Sequence, residues 1–153
     1  MTDVVEVAPS DARLAPLISA HLTFAHATSP ACSVHSLDAA GLSSAEAQLF
    51  AIFSEDGAPL AMGALARLDR DHGEVKSMHV AEAARGKGLA RAILERLLAE
   101  ARVSGLTRVS LETGTQEPFA PARALYAKTG FTPCAPFAQY TNDPMSAYYT
   151  RTL

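Results

Sequence analysis

The sequence predicts an α/β (α+β) fold in which helices flank a mixed, largely antiparallel sheet. The first observation behind this prediction is the order of segments, because strand-like and helix-like patterns interleave as β-α-(α)-β-β-β-α-β-α-β-β. The second is size, since 153 residues that are 48% hydrophobic suffice to build one core. No internal repeat or linker divides the chain, so we expect residues 1–153 to form a single domain.

The first half of the chain is predicted to hold two helices and four strands. Residues 4–8 are β-rich and end at Pro9. Helical spacing follows and brings four apolar side chains to one face: Leu14, Leu17, Ile18 and Leu22. Residues 37–42 predict a short helix. Three further strands are expected, with a Glu55-Asp56-Gly57 hairpin between the first two: residues 49–53, 60–68 and 74–80.

The second half of the chain is predicted to hold two helices and three strands. Apolar residues recur with a helical period from Leu89 to Ala101, and Gly105 ends this helix. The remaining elements are then expected in the order strand, helix, strand, strand, with Gly130 ending the helix: residues 107–113, 121–129, 131–140 and 147–153.

Composition argues against two classes of partner. A formal net charge of −3 and a pI near 5.9 provide no basic field for nucleic acid. No run of roughly 18 strongly apolar residues predicts a membrane span, and no export segment is recognisable, so we expect a cytoplasmic protein. Cys32 and Cys134 lack the spacing of metal ligands, so we expect small core residues in a reducing compartment and no bound metal.

The most informative segment is a glycine-rich loop that follows the strand 74–80 and opens the long helix, Arg85-Gly86-Lys87-Gly88-Leu89-Ala90. Free N–H groups and the positive end of a helix meet there, and glycines let a ligand approach the backbone. The loop therefore predicts a diphosphate site. Lys87 is followed by Gly88, where a nucleotide triphosphatase loop needs Ser or Thr. Arg91 stands where a dinucleotide-binding loop needs its third glycine.

The pattern that remains, Arg85-x-x-Gly88-x-Ala90, resembles the acyl-CoA loop of the GNAT superfamily of N-acyltransferases. A second motif of that family is matched later in the chain, in the residues Ala122, Leu125, Tyr126 and Gly130-Phe131. One position departs from the family, because its frequent Asn, which helps to hold the pantetheine arm, is Phe119 here. Three shorter segments are similar to a small bacterial subgroup of acetyltransferases: Leu111-Glu112-Thr113-Gly114, Cys134-x-Pro136-Phe137-x-x-Tyr140 and Asp143-Pro144.

The resemblance implies acetyl-CoA as the cofactor and a sheet that is splayed where acyl-CoA binds. The diphosphate would lie on the loop amides, and the pantetheine arm would pair with the end of the preceding strand. The N–H of His79 or Val80 would then face the thioester oxygen. The implied cofactor-binding residues are Met78, His79, Val80, Arg85, Gly86, Lys87, Gly88, Leu89, Ala90 and Tyr126.

Tyr126 is the candidate general acid that protonates the departing thiolate, because a phenol with a pKa of about 10 can donate to a thiolate whose acid has about 8.5. The alternative is that Tyr126 only packs beside Phe131 or orients the sulfur. Tyr140, Tyr148 and Tyr149 could line the acceptor pocket, although aromatic packing is expected as their main role.

Two residues are candidates for the general base. Glu74 begins the strand before the loop, where several family members carry a Glu base, although it could equally be an exposed strand-edge carboxylate. His79 is the rival, since an unperturbed imidazole has a pKa near 6.5, and its side chain should point to the sheet face opposite Met78 and Val80. Glu112 lies mid-strand and could bind the substrate amine. The other histidines, His21, His26, His35 and His72, show no partner by spacing.

We therefore expect an N-acetyltransferase that moves an acetyl group from acetyl-CoA to a primary amine of a small molecule or amino acid, by direct transfer in a ternary complex. Two alternatives stay open at this stage. One is a non-catalytic module that binds or senses acyl-CoA. The other is an acyltransferase with a different acyl donor or an O-acceptor. A homodimer through the terminal strands is expected by analogy with relatives.

Overall fold

The computed structural model describes residues 3–29 and 36–153. Its elements follow the predicted order. The strands are β1 (Val5–Val7), β2 (Gln48–Phe53), β3 (Pro59–Arg67), β4 (His72–Val80), β5 (Arg108–Gly114), β6 (Thr132–Pro133) and β7 (Ser146–Thr152). The α-helices are α1 (Ala15–Thr28), α2 (Ala39–Ser44), α3 (Leu89–Val103) and α4 (Ala120–Lys128).

The strands form one sheet in the order β1-β2-β3-β4-β5-β7-β6. Neighbours are antiparallel except β4 and β5, which run parallel. The parallel pairing ends at Val75 and Leu111, although β4 continues to Val80 and β5 to Gly114. The two strands therefore diverge beyond this point. This confirms the largely antiparallel sheet with a splay that the sequence led us to expect.

Strand β4 carries a bulge beside this divergence. Met62 of β3 pairs with His79 and Ala64 pairs with Lys76, so β4 has one residue more than β3 between these pairs. Ser77, inside the bulge, has a φ of 55°, a left-handed conformation that non-glycine residues rarely adopt. The extra residue brings Lys76 and His79 to the same face of the sheet, whereas strict alternation would separate them.

Helices cover both faces of the sheet and enclose two cores. The helical period of α3 explains its buried stripe, which packs on one face: Leu89, Ile93, Leu94, Leu97, Leu98 and Ala101. Tyr126 of α4 and the neighbouring Phe131 belong to the same core. Helices α1 and α2 supply the second core through Leu17, Ile18 and Leu42, together with Leu14 in the turn just before α1. Strand β2 alternates between the two, as Phe50 belongs to the first core and Leu49 to the second.

The predicted strand over residues 131–140 is wrong for most of its length. Only Thr132–Pro133 pairs with β7. Pro133 and Pro136 cannot donate ladder hydrogen bonds, so the chain leaves the sheet here. Residues 134–145, which we call the strap, instead bring the rings of Phe137 and Tyr140 against Tyr148 of β7, with centroids 6.1 and 5.7 Å away.

Three further expectations meet the structure as follows. Cys134 is only half-buried on the strap, so the prediction of a core residue is wrong for it, and burial raises the pKa of its thiol. Cys32 and His35 lie outside the described residues. Among residues 3–29 and 36–153, no helix combines the length and apolar character needed to cross a membrane.

Candidate active site

A cavity of about 670 Å³ opens where β4 and β5 diverge. It brings together residues from β4, β5, α4, the glycine loop and the strap. All but one of the predicted site residues line it: Glu74, Met78, His79, Val80, Arg85, Gly86, Gly88, Leu89, Ala90, Glu112 and Tyr126. The exception is Lys87, which is exposed and lies outside the lining. Arg91 lines the cavity although the sequence did not point to it.

The glycine loop has the geometry of an anion cradle. Gly86 and Gly88 have φ values of 78° and 77°, so both use the left-handed region that favours glycine. A Cβ built at either position would meet no described atom within 4 Å, so this side of the loop is open to a ligand. No side chain in the described part of the chain caps the helix that starts at Leu89. Its first N–H groups therefore suit a diphosphate, which satisfies them and the helix dipole together.

Two arginines flank this loop, one on each side. Arg85 Nε donates to the carbonyl oxygen of Val80 at 3.3 Å, so the loop is tied back to the end of β4. Arg91 Nε pairs with Glu95 at 3.0 Å on the first turns of α3. Both guanidinium groups belong to residues that line the cavity, and both add positive charge at its phosphate end.

Tyr126 is a buried phenol at the junction of the cavity. Its residue is only 5% exposed, and its ring contacts Phe131 and Tyr149 with centroids 5.9 and 6.3 Å away. Burial, and after it the charge of Glu112, raises the pKa of Tyr126 above its ordinary value. The phenol therefore keeps its proton at neutral pH, and the same shift makes it a weaker acid than an ordinary tyrosine. Tyr126 therefore both packs beside Phe131 and lines the cavity.

Glu74 belongs to a closed polar cluster with Lys76 and Tyr140. Lys76 Nζ lies 3.2 Å from Glu74 Oε2, and the Tyr140 hydroxyl donates to the same oxygen. Lys76 Nζ also donates to the Tyr140 hydroxyl at 3.0 Å. Glu74 is 5% exposed, so the alternative of an exposed strand-edge carboxylate is wrong. Burial raises the pKa of Tyr140, and Glu74 adds to this effect, so the phenol stays protonated.

Glu112 is the second carboxylate, after Glu74, that lines the cavity. It is half-buried on β5, in register with Tyr148 of β7, and lines the cavity. Its charge contributes to the raised pKa values of Tyr126, Tyr140 and Tyr148, although burial is the larger cause in each case. Glu112 therefore adds negative charge to the cavity lining, where a cationic amine would be stabilised.

The His79 side chain contacts His21, a partner that the spacing of residues in the sequence did not indicate. His79 Nδ1 lies 3.1 Å from His21 Nδ1 of α1, and His21 Nε2 lies 3.3 Å from Ser36 Oγ. Burial lowers the pKa of both histidines to about 4, with a smaller contribution from His79 at His21 and from Arg85 at His79. Both rings are therefore neutral at pH 7. As predicted, His79 points away from Met78 and Val80, which pack against the first core.

Two missed residues left different signals in the sequence. His21 follows Leu17 and Ile18 at helical spacing, so periodicity alone could have put it on the buried face of α1. Tyr140 left no such signal. Its ring packs against Phe137 and Tyr148 as expected, and it also lines the cavity, where its hydroxyl bonds to Glu74.

An aromatic wall closes the cavity at Phe119, the position where the family resemblance led us to expect an Asn. Phe119 and Phe24 of α1 meet edge to face with centroids 5.2 Å apart, and both line the cavity. The Phe119 ring lies so close to Gly114 that a Cβ there would collide with it. Gln116 Nε2 ties this loop to α1 by donating to Thr28 O at 2.9 Å. The wall is therefore apolar and fixed on both sides.

Comparison with known protein families shows which family this chain belongs to. Residues 16–131, most of the chain, match the family model described as "Acetyltransferase (GNAT) family". The chain belongs to the GNAT family of acetyltransferases. It is therefore an acyltransferase, and the GNAT membership that the sequence indicated is confirmed.

Relatives agree with the GNAT assignment. YsnE of Bacillus subtilis and YedL of Escherichia coli, both described as uncharacterized N-acetyltransferases, are each 40% identical over 138 residues. The alignments cover 90% of this chain and 90% and 86% of those proteins. A solved structure from Klebsiella pneumoniae, described as an acyl-CoA N-acyltransferase, has a TM-score of 0.82 at 27% identity, over 100% of this chain and 98% of that one.

Membership of the GNAT family also indicates the cofactor. N-acetylglutamate synthase from Neisseria gonorrhoeae, solved with coenzyme A and N-acetyl-glutamate, shares the fold with a TM-score of 0.75 at 16% identity. The similarity covers 100% of this chain and 36% of that one. GNAT acetyltransferases use acetyl-CoA. The open cradle at Gly86 and Gly88 and the uncapped start of α3 fit the diphosphate of that cofactor.

Proposed function

We propose that this GNAT protein transfers the acetyl group of acetyl-CoA to a primary amine of a small molecule or amino acid, directly within a ternary complex. One observation carries the proposal: a single cavity joins the glycine cradle, the protonated phenol of Tyr126 and the carboxylates of Glu74 and Glu112. A binding protein has no need of a buried proton donor and a buried carboxylate at the two sides of one cavity.

The phosphate end of the cavity would bind the cofactor. The amides from Gly86 to Ala90 hold the diphosphate, and Arg85 adds charge beside them. The backbone of Met78, His79 and Val80 pairs with the pantetheine arm as an added strand, because β5 has diverged and left this edge of β4 open. When bound, acetyl-CoA supplies a thioester carbonyl to the divergence point. The N–H of His79 or Val80 donates to its oxygen, a type of contact worth about 10²–10³ in rate.

The opposite end would bind and deprotonate the acceptor. Glu74 and Glu112 attract an ammonium group, which agrees with the acidic character of the chain. Glu74 then takes a proton from the amine, directly or through a water molecule. Tyr126 gives its proton to the departing sulfur. The amine nitrogen thereby forms one bond to carbon, and the bond between carbon and sulfur breaks.

Calorimetric titration of the purified protein with acetyl-CoA, and with dephospho-CoA as a comparison ligand, tests the cofactor. Release of free CoA thiol in the presence of a panel of amines, made of the standard amino acids and simple polyamines, tests the reaction. Micromolar one-site binding with thiol release for at least one amine supports the proposal. Binding without release for any amine would instead support an acyl-CoA sensor, and release only with longer acyl donors or alcohols would change the substrate class.

Two finer points belong to the same proposal. We place the protein in the bacterial cytoplasm, where acetyl-CoA is made and where a half-buried thiol such as Cys134 stays reduced. We also propose a homodimer through the terminal strands. Cell fractionation and light scattering on the purified chain test these two points, and a monomer at all concentrations would refute the second.

A further inference from the structure

We propose that Tyr140 of the strap is a positioning residue for Glu74, which it holds so that one carboxylate oxygen is presented to the acceptor amine. The inference rests on the proposed function, in which Glu74 accepts the proton. Tyr140 would touch neither the acetyl group nor the sulfur, and it would act only through Glu74.

The geometry gives the two oxygens of Glu74 different surroundings. Both polar contacts of the carboxylate converge on Oε2, from Lys76 Nζ at 3.2 Å and from the Tyr140 hydroxyl. Among residues 3–29 and 36–153, no hydrogen bond to Oε1 is found, and Glu74 lines the cavity. The oxygen left for an acceptor is therefore Oε1. A carboxylate held at one oxygen by two donors cannot rotate freely about its last torsion, so the other oxygen keeps a defined direction.

Tyr140 is itself held rigidly, as a positioning residue must be. Its backbone N–H donates to Phe137 O at 2.9 Å, and its ring packs on Phe137 and Tyr148 with centroids 5.0 and 5.7 Å away. The Tyr148 hydroxyl fastens the same segment by donating to Thr141 O at 2.8 Å. Lys76 donates to the Tyr140 hydroxyl, so the single hydroxyl proton is left for Glu74. The direction of this hydrogen bond is thereby determined.

The role follows from the proton transfer that Glu74 performs. The acceptor's ammonium group first gives one N–H proton to Oε1, and the neutral amine so formed attacks the thioester carbon. As the N–C bond forms and the C–S bond breaks, the remaining extra proton on nitrogen passes to solvent water. Tyr126 supplies the proton that the sulfur receives. A misplacement of about 1 Å at a group in such a step can lower the rate about 10²-fold. Without the Tyr140 hydroxyl, Lys76 alone would hold Glu74, and the carboxylate could turn either oxygen toward its ammonium group.

The test compares Tyr140→Phe with Tyr149→Phe. Both variants lose one phenolic hydroxyl, but Tyr149 is a half-buried residue of β7 outside the cavity lining, and its ring contact with Tyr126 survives the change. The readouts are kcat and KM for an amine from the panel above, acetyl-CoA affinity by calorimetry, and the unfolding temperature. We expect Tyr140→Phe to lower kcat about 10- to 100-fold with KM and acetyl-CoA affinity within about twofold of the parent. Tyr149→Phe should keep kcat.

Hydroxylamine and a double variant separate positioning from a structural role. Hydroxylamine is largely uncharged at pH 8, so it has no ammonium proton to give to Oε1 before it attacks. Tyr140→Phe should therefore keep its rate with this acceptor while losing rate with an ammonium acceptor. In the Glu74→Gln background, Tyr140→Phe should cause no further loss, because the two residues act as one unit. Equal kcat in Tyr140→Phe and Tyr149→Phe, or equal losses with both acceptors, would overturn the proposal while leaving the transferase function intact. A parent protein that acetylates neither acceptor would overturn both.

Discussion

Nδ1 of His21 on α1 and Nδ1 of His79 on β4 lie 3.1 Å apart, with the two rings edge to face and their centroids separated by 5.0 Å. Two imidazoles can share such a contact only if one donates a proton and the other accepts it, so at most one of the two facing nitrogens is protonated. The contact therefore requires that at least one of the two rings is uncharged, and it joins the helix over the second core to the strand beside the cofactor cradle.

This pair predicts that the protein loses stability in mild acid. Both histidines have a pKa of about 4 in the folded chain, against about 6.5 when unfolded, so between these values the unfolded state binds more protons. Stability is highest above pH 6.5 and falls as the pH drops toward 4. We expect a loss on the order of 2 kcal/mol for the pair by pH 5, allowing for solvent screening at His79. Urea unfolding at pH 7 and pH 5 measures it.

A neighbouring histidine provides the control for this loss. His21→Gln should reduce the difference between pH 7 and pH 5, because Gln does not titrate. His26→Gln, on the exposed side of the same helix, should leave the difference unchanged. An identical pH dependence in all three proteins would contradict the prediction.

Glu74→Gln should lower kcat about 10²-fold or more, because Gln keeps the shape and the contacts to donors but cannot accept a proton. Acetyl-CoA affinity should be retained, since the loop that would bind the cofactor is elsewhere in the cavity. Steady-state kinetics and calorimetry measure the two effects. Glu55→Gln in the exposed β2–β3 hairpin is the matched carboxylate control and should behave as the parent. Full activity of Glu74→Gln would exclude Glu74 as the base and leave His79.

Tyr126→Phe should lower kcat about 10²-fold while changing the unfolding temperature little. The ring contacts with Phe131 and Tyr149 survive the substitution, and only the proton donor is lost. Kinetics with saturating acetyl-CoA, together with thermal unfolding, separate the two effects. If kcat stayed at the parent value, the tyrosine would have a packing role alone.

Gly88→Val should abolish measurable acetyl-CoA binding, or weaken it at least about 10-fold, because a branched side chain fills the cradle and resists a φ of 77°. Gly57→Val is the matched control. Gly57 has a φ of 87° and equally open surroundings, but it lies in the β2–β3 hairpin away from the cavity. Both variants should lose about 1–2 kcal/mol of stability from the left-handed strain. Calorimetry measures the acetyl-CoA affinity of each variant, and urea unfolding measures its stability. Equal acetyl-CoA affinities in Gly88→Val and Gly57→Val would mean that the cofactor binds elsewhere.

Local parts of this site could be predicted from the sequence because their causes are local. The glycine cradle depends on Gly86 and Gly88 and on the helical period that begins at Leu89, all within a few residues. The same holds for most strands and helices, whose ends lie within a few residues of the predicted ones. The prediction of a strand over residues 131–140 failed for a local reason as well, since Pro133 and Pro136 have no N–H to donate to a strand ladder.

By itself, the sequence determined the order of elements, the cradle and the presence of Tyr126, Glu74 and Glu112 near one splayed strand pair. Only the tertiary structure decided what these side chains contact. Tyr140 reaches Glu74 across 66 positions, and His21 reaches His79 across 58. Both contacts involve the β4 face that the bulge at Ser77 rearranges, where one extra residue reverses the alternation of side chains. Such a reversal depends on pairing with β3, and no period within the strand itself records it.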